Sequence, residues 1–351
     1  MNDYESVRLS AAKWQSRLTR ARSLLDDPRA ICGIQARIES LRRMSSPSAS
    51  TLEGERQLRA ARKVGFLPGS FNPLTNAHIA LAEAARRVAG LDVVIWGIST
   101  STVDKETVER ASLVDRLAQL VAYARATHGN AVVALNQGLY VDEADAMRAC
   151  MPPGAALSII IGYDKMVQIL DPHYYEDRDA ALDRLFDAAT ILVGPREGYG
   201  RAELDALLAQ PSNARYRSYV TFTPLEGRYA TDSSTEVRQL ATGDLGSDRI
   251  RSLVVPEGFA LLELRPYQAS EETTASHDIY MARTRWVQLL GQIPDRQCAG
   301  LPSLTHLARG ILTDGSSNWH SQFWDREDVL TVSEIWDLIR HAAGEASGSD
   351  S

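Results

Sequence analysis

Five short apolar runs, each followed by a helix-like run, constrain this chain more than any other feature of it. The strand-like runs lie at 63–67, 92–98, 131–136, 157–162 and 190–194, and the helix-like runs at 76–89, 107–126, 141–150, 178–188 and 201–209. Leu157-Ser158-Ile159-Ile160-Ile161 has hardly any polar face, as expected of a strand buried on both sides in a parallel sheet. The alternation predicts an α/β fold, a doubly wound parallel sheet with right-handed crossovers. In such a sheet ligands bind beyond the carboxyl ends of the strands.

Three strings of chemical interest sit at those places. Residues 64 to 78 read Val-Gly-Phe-Leu-Pro-Gly-Ser-Phe-Asn-Pro-Leu-Thr-Asn-Ala-His: an apolar run, a turn, then a helix start near Thr75 with His78 in its first turn. Unpaired N–H groups and a positive dipole end suit a phosphate there, and an imidazole can face the transferring group. Neither the Walker loop nor the Gly-x-Gly-x-x-Gly fingerprint is present. Residues 231 to 238 read Thr-Asp-Ser-Ser-Thr-Glu-Val-Arg, a capping pattern with Arg238 one turn on, ready to pair with phosphate oxygens. The run at 157–162 ends in Gly162-Tyr163-Asp164. There Gly162 permits close backbone approach and Asp164 suits ribose hydroxyls or a base. A further strand runs into Gly194-Pro195-Arg196-Glu197-Gly198-Tyr199.

The first two strings resemble the nucleotidylyltransferase superfamily, whose patterns are Gly-x-Phe-x-Pro-x-(His/Thr)-x-x-His and Ile-Ser-Ser-Thr-x-x-Arg. Thr75 and His78 fill the variable places of the first, and Asp232 stands where isoleucine is usual in the second. The Gly-x-Asp and Pro-Arg-x-Gly strings look like the nicotinate or nicotinamide mononucleotide adenylyltransferases. Gly69 to His78, and Asp171 to Tyr175, are similar to their eukaryotic, fungal-type form. The resemblance covers residues 62 to 265 and implies the Rossmann-like nucleotidylyltransferase fold.

It also implies ATP-dependent adenylyl transfer to nicotinamide or nicotinate mononucleotide, giving NAD or its deamido form and pyrophosphate. His78 would contact the α-phosphate with Thr75 assisting. Gly69, Ser70 and Phe71 would offer backbone contact, and Ser234, Thr235 and Arg238 would hold the outer phosphates. Gly162, Asp164 and Arg196 would serve the nucleotide and its ribose. Lys105 is either a phosphate-binding lysine or an exposed loop lysine. Mg²⁺ should bridge the phosphates mainly through water, with no protein metal cage. The family commonly stacks the pyridine ring on a tryptophan after the third strand, and this chain has none there. Tyr140 is the nearest aromatic, either stacking on the ring or packing at a helix start. Alternatives are another superfamily enzyme, such as a phosphopantetheine adenylyltransferase-like one, or a nucleotide-binding regulator or weak ATPase with a degenerate acceptor site.

The remaining sequence frames this core. Residues 3 to 43 read as helix, with an apolar stripe of Val7, Ala11, Trp14, Leu18, Ala21 and Leu25 that suits the chain's own domain or a homo-oligomer interface. The expected division is a helical segment at 1–44, linker and lead-in at 45–61, the transferase domain at 62–265, a helical subdomain at 266–343 and a disordered tail at 344–351. Arg110 and Arg116 read as solvated helix residues, and His128, His277, His306 and His341 have no matching context. A net charge of −7 argues against a nucleic-acid partner. Three scattered cysteines, a polar N-terminus and no long apolar stretch point to a reduced, cytoplasmic setting without a membrane span.

Overall fold

The computed structural model describes residues 9–101, 111–196, 198–225, 229, 232–267, 275–313, 321–326 and 329–344. Its elements run α1 (Ala11–Leu25), α2 (Pro28–Arg42), β1 (Ala49–Glu53), α3 (Glu55–Ala60), β2 (Lys63–Pro68), α4 (Asn76–Ala89), β3 (Val93–Ser99), α5 (Leu113–Ala126), β4 (Asn130–Leu135), α6 (Tyr140–Cys150), β5 (Ala156–Gly162) and α7 (Tyr163–Leu170). They continue through α8 (Arg178–Ala188), β6 (Thr190–Gly194), α9 (Arg201–Ala209), β7 (Val220–Phe222), α10 (Ser234–Ala241), α11 (Asp248–Leu253), α12 (Pro256–Glu263), α13 (Ala275–Leu290), α14 (Leu304–Thr313) and α15 (Val332–Ala342).

Seven strands among the described residues form one sheet in the order β1-β4-β3-β2-β5-β6-β7. All neighbours are parallel except β1, which runs antiparallel to β4. The five strands expected from the apolar runs are β2 to β6. The chain order reverses at β2, which lies between β3 and β5. That reversal opens the crevice where the loop after β2 sits.

Helices cover both faces. One core cluster joins Phe66, Ile95, Val133 and Ile159 to α6, α8 and α9 through Met147, Leu185 and Leu204. The other joins Val94, Trp96 and Ile160 to α1, α2, α4, α5 and the helices after β7. Both terminal helical segments belong to this second cluster, through Leu18, Ile31, Trp286, Leu307 and Ile339.

Two expectations are corrected. The N-terminal helix is two helices, because Asp27 caps a new start at Pro28, whose ring suits a first turn and no helix interior. Its stripe packs within the chain: Leu18, Ala21 and Leu25 are buried, Trp14 is half-buried and Ala11 is exposed, while Val7 lies outside the described residues. The serine-rich segment at 45–51 does not stay a linker, since its end becomes strand β1. Backbone pairing with β4 needs no apolar side chain, so composition concealed it. Residues 345–351 of the tail also lie outside the described residues.

Glu143 in the first turn of α6 is buried, with Oε2 unpartnered among the described residues. Burial, then the charge of Asp142, pushes its carboxyl up to about 8. A folded pKa above the unfolded one stabilises at low pH, and that contribution is lost as pH rises from about 4.5 through about 8. Glu143→Gln should therefore flatten the fall in stability across that range. Urea unfolding at pH 5 and pH 9 checks it, and an unchanged slope refutes it.

Candidate active site

The loop from Gly69 to Thr75 is held in shape by side chains that arrive from far along the chain. Asn72 Oδ1 accepts from the Ala111 N–H at 3.1 Å and from the Tyr267 hydroxyl at 2.8 Å. Gln119 on α5 accepts from the Leu74 N–H at 3.0 Å and donates to the Phe71 carbonyl. Arg116, expected as a solvated helix residue, is buried and donates to the Ser70 carbonyl at 2.9 Å. Phe71 has φ 43, a left-handed backbone uncommon for a bulky residue. Its ring packs edge-on against His78 and Trp96, at 5.1 and 5.6 Å between centroids.

This arrangement redistributes the expected backbone contacts. The Gly69 N–H donates to the Gly97 carbonyl at 3.1 Å, so it continues the sheet. Phe71 points inward and does not line the cleft, whereas Gly69 and Ser70 do. Thr75 is the N-cap of α4, and its hydroxyl accepts from the His78 N–H. His78 closes a capping box, its Nδ1 accepting from the Thr75 N–H at 3.1 Å and lying 2.8 Å from the Thr75 hydroxyl. With Nδ1 an acceptor, the ring proton sits on Nε2. Burial first, and the charge of Arg196 second, hold this imidazole down at about 4. With no phosphate bound, His78 is thus a neutral donor at physiological pH.

A second capped helix faces the same cleft. Ser233 caps α10, accepting from the Glu236 N–H at 3.1 Å. The Ser234 hydroxyl donates to the Pro73 carbonyl at 3.1 Å, tying α10 to the loop after β2. Arg238 donates to the Asn72 carbonyl and to the Thr235 hydroxyl, both at 3.1 Å. His78, Thr75, Ser234, Thr235, Arg238, Gly162, Asp164 and Arg196 all line one cleft of about 330 Å³. Lys165, Tyr229 and Asp232 line it too, and sequence reasoning gave them no role. Lys165 was discoverable as the basic residue beside Asp164 at a helix start.

The remaining assignments divide. A Cβ at Gly162 would come within 2.7 Å of Asp164 Oδ1, so the close approach there is made by the chain's own carboxylate. Arg196 was read beside the ribose, yet its charge is felt at His78 and its Nη1 lies 3.5 Å from the Asp232 carbonyl. Tyr140 lies outside the phosphate cleft. It packs at the start of α6, where with Gln168, Tyr174 and Tyr175 it surrounds a cavity of about 40 Å³. Burial, then Glu143 and Asp164, raises its hydroxyl well above the ordinary value. Lys105 lies outside the described residues.

Helix α12 braces the loop from behind. A Cβ on Gly258 would lie 2.2 Å from the Leu74 carbonyl oxygen. Gly258→Ala must push α12 and the Leu74–Thr75 segment apart, at a cost of about 1–3 kcal/mol. Thermal unfolding should show this loss together with reduced activity. A variant of normal stability and turnover rules out the brace.

A family model described as Cytidylyltransferase-like matches residues 66–240. A protein of Gloeobacter violaceus named "Probable nicotinate-nucleotide adenylyltransferase" is 28% identical over 193 residues, covering 52% of this chain and 86% of that one. A Bordetella pertussis protein of the same name is 30% identical over 190 residues, covering 52% and 87%. A solved structure named "Plasmodium falciparum nicotinic acid mononucleotide adenylyltransferase complexed with NaAD" overlaps with a TM-score of 0.43 at 12% identity, over 57% of this chain and 94% of that one.

Proposed function

The chain belongs to the nicotinate/nicotinamide mononucleotide adenylyltransferase-type family of nucleotidyltransferases, and on that premise we propose that it transfers the adenylyl group of ATP to nicotinate mononucleotide. The observation that carries the reading is the meeting of two capped helix starts, α4 and α10, with His78, Arg196 and Arg238 in one cleft. The nicotinate form of the acceptor follows the name the relatives share. Nicotinamide mononucleotide is the runner-up.

The acceptor's phosphate oxygen attacks the α-phosphorus in line, forming a new P–O bond as the bond to the β-phosphate oxygen breaks and pyrophosphate leaves. The attacking phosphate is already a nucleophile, so the protein's work is positioning and charge neutralisation. His78 donates from Nε2 to an α-phosphate oxygen, and the capping box with Thr75 fixes the ring that does so. Arg238, Arg196, Ser234 and Thr235 receive the outer phosphates, the two guanidinium groups carrying the positive charge that a neutral His78 lacks. Asp164 takes the ribose hydroxyls.

Among the described residues no group of three or more His, Cys, Asp or Glu could hold a metal ion. Asp164 and Asp232 do line the cleft, and they fit the waters of a Mg²⁺ carried in on the phosphates. Bound there, the ion would neutralise charge on the departing pyrophosphate. No helix among the described residues is long and apolar enough to cross a membrane.

The test is pyrophosphate release from ATP and Mg²⁺ with nicotinate mononucleotide, with nicotinamide mononucleotide and with no acceptor. Release that depends on the nicotinate compound, with the deamido dinucleotide as product, is expected. Equal release without acceptor, with AMP as the other product, would instead establish adenylyl transfer to water, the weak-ATPase reading.

A further inference from the structure

We propose that the cleft between α1 and α4 is a second nucleotide site, which takes a ring-bearing ligand with two or more phosphates. It is a separate opening of about 960 Å³, within the size range of small-molecule sites. It shares no wall residue with the phosphate cleft. Its walls are α1, the outer side of α4 at Asn76 and Ile79, the end of α5, and the stretch from Arg251 to Pro256. Two of these walls lie outside residues 66–240, the part matched by the family model.

The charge of this cleft opposes that of the whole protein. Lys13, Arg20 and Arg251 line it, all three exposed and none with an ion pair among the described residues. Arg17 also lines it, but Glu257 neutralises that guanidinium in a two-point contact at 2.7–2.8 Å. The wall carboxylate, Glu83, lies 3.5 Å from Arg86. Among the described residues, three cations without a carboxylate partner thus surround one concavity in a chain of net charge −7, Arg251 lying over the Phe259 ring at 5.8 Å. A cleft of one sign concentrates field and attracts a multiply charged anion. Three separate cations suit a chain of phosphates better than a single carboxylate.

The ring follows from Trp14. This indole is half-buried on the cleft wall, anchored edge-on against Phe259 at 6.4 Å. It supplies an aromatic ring to the same wall that carries the three cations. The other large aromatic of the wall, Tyr123, has its face covered by Arg17 at 5.4 Å.

Calorimetric titration of the full chain with ADP tests this. Two binding events per chain are expected. Lys13→Ala/Arg20→Ala/Arg251→Ala, at exposed positions, should weaken one event at least tenfold and leave the other within twofold. Arg238→Ala should do the reverse, so the cleft and the active-site reading fail separately. Trp14→Phe should weaken ADP at the cleft while leaving pyrophosphate there unchanged. A single binding event, or two that ignore the triple substitution, overturns the site. Pyrophosphate binding at the cleft as tightly as ADP overturns its assignment to a nucleotide.

Discussion

His78→Ala lowers kcat/KM for adenylyl transfer by about 10²–10³-fold, the loss typical of removing one donor aimed at developing charge. The same substitution removes half of the α4 capping box and costs about 1 kcal/mol of stability. The two effects are separable, because Thr75 still caps the helix from its own hydroxyl. The pH profile is more specific. With the imidazole held at about 4, His78 adds no break of its own near the ordinary value of 6.5, and the kcat/KM profile there carries only the substrates' phosphate ionisations, which lie near about 6. A break near 6.5 that disappears in His78→Ala would show that the working form is the cation. The stability sign is also fixed. A base whose folded pKa is depressed stabilises above its unfolded value of 6.5, and that contribution is lost as pH falls from there through about 4.

Arg283→Met has the largest expected effect on stability. Arg283 on α13 is 1% exposed, and its Nη1 meets Asp115 on α5, 0% exposed, at 2.6 Å. The Tyr280 hydroxyl donates to the same carboxylate at 3.0 Å, and the Ser112 hydroxyl does so at 2.7 Å. Removing the guanidinium leaves a buried carboxylate with two neutral donors and no cation, and losing one partner of such a pair costs about 3–5 kcal/mol. The double variant Asp115→Leu/Arg283→Met should recover much of that loss, since no buried charge remains. Urea unfolding of the two variants decides between them. A single variant within about 1 kcal/mol of the unchanged protein would mean that water reaches the pair. Activity should fall as well, because Arg116 and Gln119 on α5 hold the loop after β2.

The central strands were legible because being buried on both faces forces nearly unbroken apolar runs, as in Leu157 to Ile161. The two capped helix starts were legible for a similar reason: capping is local, so Thr75 and His78, or Ser233 and Glu236, lie three residues apart in sequence. What supports the loop was not legible. Arg116 and Gln119 look like any polar residues of a surface helix. Their burial depends on Ser70, Phe71 and Leu74 arriving from the loop after β2. Tyr267 reaches Asn72 across 195 positions, a pairing that no local pattern announces.

The bond between Arg17 and Glu257 spans 240 positions, and that between Arg283 and the Leu25 carbonyl spans 258. For a polypeptide leaving the ribosome from its first residue, this has a consequence in time. The sheet strands and both helix starts of the nucleotide pocket are made before Gly258 and Tyr267, which pack against or bond to the loop after β2. Domains usually fold as they emerge, N-terminal parts first. A nascent chain therefore holds both pocket-forming helix starts before it holds Gly258 and Tyr267, which support the loop between them.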